Sequence, residues 1–223
     1  MDEKFQFHFD GQPDYSLLTV NIPSGKTLKV EASAMASMDT NISMKTKLKG
    51  GFSRLFTGES LFINEFTAQN GDGEIKIAPS APGDMLHRYL DNETIYIQNS
   101  AYVASLPSVD LNMKWQGLKG FFSGEGLFLI QCMGKGDLWL NSYGGIFEVD
   151  VQEGYVVDTG HIVAFTQGLT YRVRSVGGYK SLFLSGEGLV CEFSGSGKVW
   201  VQSRKVMPFA GWLNYFRPKK SSN

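Results

Sequence analysis

The sequence predicts an all-β protein made of three repeated antiparallel units. Three observations carry this expectation: a glycine-rich string that returns twice, runs in which apolar and polar residues alternate, and a composition rich in turn formers and aromatics. The string is SGEGLFLIQCMGKGDLWL, Ser123 to Leu140; it returns as SGEGLVCEFSGSGKVWV from Ser185 and as TGESLFINEFTAQNGDGEIKI from Thr57. Among 223 residues there are 26 glycines and 16 phenylalanines. Tight turns require positive φ, which glycine adopts freely, and pleated strands favour aromatic and β-branched side chains.

Each copy aligns on a Gly-Glu pair: Gly58-Glu59, Gly124-Glu125 and Gly186-Glu187. Leu61, Leu127 and Leu189 follow, each opening an apolar run. A G-x-G triplet comes next (Gly71 to Gly73, Gly134 to Gly136, Gly195 to Gly197), then a second alternating run. Strand, glycines, strand is a hairpin signature. Ahead of each string lies a strand, a short turn and another strand: Leu18 to Met38, Glu93 to Val109, Phe147 to Phe165. In FEVDVQ, Phe147, Val149 and Val151 share one face and Glu148, Asp150 and Gln152 the other, as in a half-solvated antiparallel sheet. The segment PGDMLHRYL fits a helix face or a strand; the other copies favour strand. The expected organisation is one body with repeats at 7–78, 79–141 and 142–204, and a tail at 205–223. A single unit has one apolar face to bury, so the three are expected to close on one another around a pseudo-threefold axis.

Composition narrows the function. A net charge of −1 supplies no field for nucleic acid. The basic residues after Glu192 make only the C-terminal end locally positive. Cys132 and Cys191 lie in strand-like runs and are expected as buried, reduced thiols. The start, MDEKFQFHFD, does not read as a signal or transit peptide, and no stretch approaches the ~20 apolar residues of a membrane helix. The chain is expected in the cytoplasm.

Several motifs fail on inspection. Ser24-Gly25-Lys26-Thr27 suggests a phosphate loop, but Val20 occupies the first glycine position and strand-turn-strand replaces strand-loop-helix. His8, His87 and His161 have no metal-ligand spacing, and no serine or cysteine sits in a nucleophile elbow. No cofactor is expected. Glu59, Glu125 and Glu187 are expected to accept backbone N–H bonds in their turns; a shared cation or polar partner near the axis is the sharper alternative. In the tail, Pro208 suits a first helical turn. Phe209, Trp212, Leu213 and Phe216 then share one helical face, with Arg217, Lys219 and Lys220 after them. That face suits packing onto the β-body or another subunit, or an interfacial membrane or partner contact.

The strings GGFSRLFTGESLFINEFTA, FFSGEGLFLIQCMGKGDLWL and VWVQSR resemble the mitochondrial-biogenesis family named for altered inheritance of mitochondria, over about Phe7 to Arg204. The resemblance implies a fold similar to the tryptophan RNA-binding attenuation protein (TRAP): a β-sandwich or short double-stranded β-helix present three times per chain. It implies no established enzymatic activity, and for mitochondrial members a part in keeping inner-membrane complexes intact. The expected function is a non-catalytic β-scaffold with protein partners or copies of itself, and a membrane surface reached through the tail. The alternatives are a small-molecule or nucleic-acid binding module, by analogy of fold, and an enzyme with an unrecognised site.

Overall fold

The computed structural model describes residues 4–49, 61–115, 128–175 and 189–218. They are mostly antiparallel strands, with one short C-terminal helix, as the glycine and alternation pattern predicts. The first third supplies β1 (Gln6–Asp10), β2 (Leu17–Ile22), β3 (Thr27–Glu31), β4 (Met35–Met38), β5 (Ile42–Lys49), β6 (Leu61–Ala68) and β7 (Gly73–Ile77). The middle third supplies β8 (Met85–Gln98), β9 (Tyr102–Ser105), β10 (Val109–Trp115) and β11 (Phe128–Asn141). The last supplies β12 (Ile146–Val151), β13 (Gly154–Asp158), β14 (Ile162–Thr166), β15 (Leu169–Ser175), β16 (Leu189–Gly195) and β17 (Gly197–Gln202), then the helix α1 (Val206–Asn214).

The ambiguous segment after Pro82 is strand: β8 runs unbroken through it. Ser24-Gly25-Lys26-Thr27 forms the tight turn from β2 to β3, where Lys26 N donates to the Pro23 carbonyl at 2.9 Å and no helix follows.

The G-x-G triplets do not make hairpins, and here the structure corrects the sequence reading. β6 pairs with β3 and β5, whereas β7 pairs with β2 and β4. β16 pairs with β13 and β15, whereas β17 pairs with β12 and β14. The glycines between them carry the chain from one sheet to another. In the middle third there is not even a break: β11 passes through Gly134 and Gly136 as one strand with a bulge after Gly134. Its first half pairs with β10 and the end of β8, its second half with β9 and the start of β8. A hairpin and a sheet-to-sheet bend both call for positive φ, so the pattern alone does not distinguish them. At Gly134, with φ of 126°, a Cβ would sit 2.4 Å from the carbonyl oxygen of Ser108, so only glycine fits the crossing.

The thirds are joined by strand pairing. β3 meets β9 with Lys29 opposite Ser105 and Val30 opposite Ala104. β8 meets β14 with Tyr96 opposite Phe165 and Ile97 opposite Ala164. Together these contacts make one ten-stranded sheet, flanked by a four-stranded sheet (β1-β2-β7-β4) and a three-stranded one (β13-β16-β15).

The core forms three clusters. Trp139 of β11 is fully buried in the cluster built mostly from the first third. Trp200 of β17 is buried in the cluster built mostly from the middle third. Each indole therefore anchors one third into its predecessor. Cys132 and Cys191 are free and buried, and burial pushes the Cys191 thiol up to about 12.

Glu31, at the end of β3, is a costly neighbour to this core. Burial pushes its carboxyl up to about 7 from the ordinary 4.5. For an acid raised in the folded state, full stability holds below the unfolded value and is lost as pH climbs through the folded one. Glu31→Gln is therefore expected to match wild type below pH 4.5 and to exceed it above pH 7. The gain expected there is about 2 kcal/mol. Urea melts at pH 4 and pH 8 check this, and an equal difference at both pH values would refute it.

Candidate functional site

The tail helix is held at its root and solvent-exposed along its length. Ser203 and Arg204 donate backbone hydrogen bonds to Gly145 and Tyr143 at 3.0 and 3.2 Å. Asp158 accepts from Gly160 N and from Lys205 Nζ, both at 2.8 Å. His161 Nδ1 donates to the Gln202 carbonyl at 2.6 Å, and the Gln202 amide donates to the Gly160 carbonyl at 2.8 Å. The Asp158–Lys205 pair is largely buried, which strengthens it relative to a surface pair. Beside this network lies a cavity of about 350 Å³ between Ser100, Thr159, Gln202 and the helix start at Val206 and Met207.

Beyond the root, no residue of α1 is buried. The expected aromatic stripe is present, with Phe209, Trp212 and Leu213 on α1 and Phe216 in the turn that follows it. Phe209 stacks on Trp212 with centroids 6.0 Å apart, and Trp212 meets Phe216 edge-on at 4.9 Å. Phe209 also touches Tyr143 of the body at 5.8 Å. Leu213 lies on the same stripe and Arg217 follows it, both exposed. Trp212 is 55% exposed and Phe216 68%. Scattered surface aromatics need no explanation, but a contiguous stripe of this kind marks a contact surface.

The other candidates from the sequence fare differently. Gly58, Glu59, Gly124, Glu125, Gly186 and Glu187 lie outside the described residues, as do Lys219 and Lys220. The histidines are engaged separately: His8 with Asp10 at 3.4 Å, His87 with Asp137, His161 with the Gln202 carbonyl. Among the described residues no three His, Cys, Asp or Glu gather as a metal site would require.

One polar site escapes sequence reading. Asp137, 1% exposed on β11, accepts from His87 Nε2 at 2.8 Å and from the backbone N–H of Phe5 at 2.9 Å. A carboxylate-oriented imidazole is half of an acid–base device. The groups around it, however, are rings: Phe7 lies 4.4 Å and Trp139 5.4 Å from the imidazole centroid. The pair fastens β1 and the chain start to β11. Fifty residues separate His87 from Asp137, and only the β8–β11 pairing brings them together.

Fold and surface together define an antiparallel all-β protein that presents an aromatic helix on a fixed root. The chain belongs to the mitochondrial biogenesis AIM24 family, whose model matches residues 7–204. It is 28% identical over 236 residues to an uncharacterised protein of Streptococcus pyogenes serotype M6, covering 100% of this chain and 95% of that one. It also superposes on the X-ray crystal structure of a Streptococcus pyogenes protein with a TM-score of 0.82 at 26% identity, covering 96% of this chain and 100% of the other. Among the described residues no helix is long and apolar enough to cross a membrane.

Proposed function

We propose that this protein is a non-catalytic β-scaffold of the cytoplasm that acts through its surfaces, and that α1 is its contact with membrane-associated complexes. The observation that carries this reading is the exposed Phe209–Trp212–Phe216 ladder on a hydrogen-bonded, ion-paired root. An apolar aromatic stripe followed by cations is the pattern of an interfacial helix. The same reading takes residues 7–78, 79–141 and 142–204 as three copies of one TRAP-like unit joined in tandem through β3–β9 and β8–β14. The recurrence of one strand-pairing scheme in each third supports it.

Co-sedimentation with anionic phosphatidylglycerol vesicles tests the tail. The full chain is expected to partition onto the vesicles and a chain lacking residues 207–223 to lose most of that binding. Equal sedimentation of the two would remove the membrane contact from the tail. Affinity capture of protein partners with the same pair of chains would then test the tail as a protein contact.

A further inference from the structure

Among the described residues, two edges of the tandem are left without the partner that their counterparts have. β4, β9 and β14 share one pattern: each bulges once, at Ala36, Val103 and Val163, and each then sets a small residue opposite the next strand. Ser37 thus faces Lys76 where Ala104 faces Trp139 and Ala164 faces Trp200. β3, the second half of β8, and β13 correspond in the same way through their partners β6, β11 and β16. Val30, Ile97 and Val156 sit opposite Asn64, Ile130 and Glu192, each three residues after the recurring leucine.

β3 is covered by β9, and β8 by β14. In this series the remaining strands are β13 and β4, which among the described residues pair with nothing on those edges. Burial follows the same division. Val30, Ile97, Ala104, Ala164, Ser105 and Phe165 are fully buried at the two joints. At the corresponding places Val156 is 48% and Met38 38% exposed, with Tyr155 and Ser37 exposed beside them.

We infer that β13 of one chain pairs with β4 of a second copy, repeating between molecules the joint that the chain makes twice within itself. The intramolecular registers fix the intermolecular one: Val156 opposite Ser37, and Tyr155 opposite Met38. The Tyr155–Met38 contact stands where Tyr96 stacks on Phe165 at 5.2 Å, and a thioether on a ring edge is a favourable replacement. The contact is heterologous, because each chain offers one edge of each kind, so assembly proceeds to rings or open filaments. It is also the weakest of the three joints. Lys76 stands where the buried indoles of Trp139 and Trp200 lock the other two, so association is reversible and rises with concentration. This inference rests on strand edges and is independent of the tail helix.

Mixed cross-linking tests it with the full chain. Ser37→Cys and Val156→Cys are made separately, purified and combined under mild oxidation. Directly opposed strand residues lie about 4.5–5.5 Å apart at Cα, within disulfide reach. A disulfide dimer is expected in the mixture and not from either variant alone or from wild type, whose two cysteines are buried. Light scattering of the wild type is expected to show a mass that grows with concentration, and Val156→Lys, which sets a charge on the exposed edge, to abolish that growth while circular dichroism stays unchanged. The inference is overturned by a mixture without dimer, by a dimer from one variant alone, by a bridge within single chains of the double variant, or by a wild type monomeric at every concentration.

Discussion

Trp139→Ala is expected to cost about 4 kcal/mol of folding stability, seen as a fall in the denaturant midpoint with little change in slope. The indole is fully buried, and it belongs by sequence to the middle third while packing with Leu18, Val20, Ile75 and other residues of the first. Removing it opens a void at the seam between two thirds, where collapse would require sheets joined by β3 and β9 to move together. Phe7 meets the indole edge-on at 5.4 Å, so the β1 strand loses a contact as well. Trp139→Phe is expected to cost less, about 1–2 kcal/mol, because most of the ring volume remains. The indole N–H of Trp139 has no hydrogen-bond partner among the described residues, so phenylalanine gives up none there. At Trp200 the same change removes a real bond, since that indole donates to Glu148 at 3.0 Å. A loss below about 1 kcal/mol for Trp139→Ala would mean that the seam repacks and the interlock is not structural.

Asp137→Ala is expected to cost about 3 kcal/mol, more than its small volume implies. The carboxylate satisfies two donors at once, the Phe5 backbone N–H and His87 Nε2, and alanine strands both. His87→Ala alone leaves Asp137 with the Phe5 bond, so a smaller loss is expected. A double-mutant cycle over the two positions is expected to show coupling of about 1–3 kcal/mol. Additive single losses would show that the histidine and the carboxylate act independently, and would reduce the pair to ordinary packing.

What the sequence made legible follows from which interactions are local. Alternation in Phe147 to Gln152 and the recurrence of Leu61 and Leu189 located strands, because side-chain period and turn glycines are properties of short segments. The same glycines were misread as hairpin tips. Whether Gly71 to Gly73 folds a strand back on its neighbour or sends it to another sheet depends on β2, β3, β4 and β5, none of which is adjacent to the triplet. In Met85 to Leu90 the apolar residues fit a helix face as well as a strand, and only the pairing of this stretch with β11 decides for strand. The tail's stripe of Phe209, Trp212, Leu213 and Phe216 was visible as spacing, but its exposure was not, since that depends on what the body leaves uncovered. The Asp137–His87 pair had no signal at all, because its two halves meet only through strand register.

The two longest strands carry an implication for how the molecule breathes. β8 and β11 each run for 14 residues at the middle of the ten-stranded sheet, and each is hydrogen-bonded on both sides over part of its length. Strands so clamped exchange their amide protons only when the surrounding sheets separate, whereas the outer sheets can open on their own. The centre of this chain is thus its last region to loosen, and fluctuations are directed outward to the two ends of the tandem, where the uncovered edges lie.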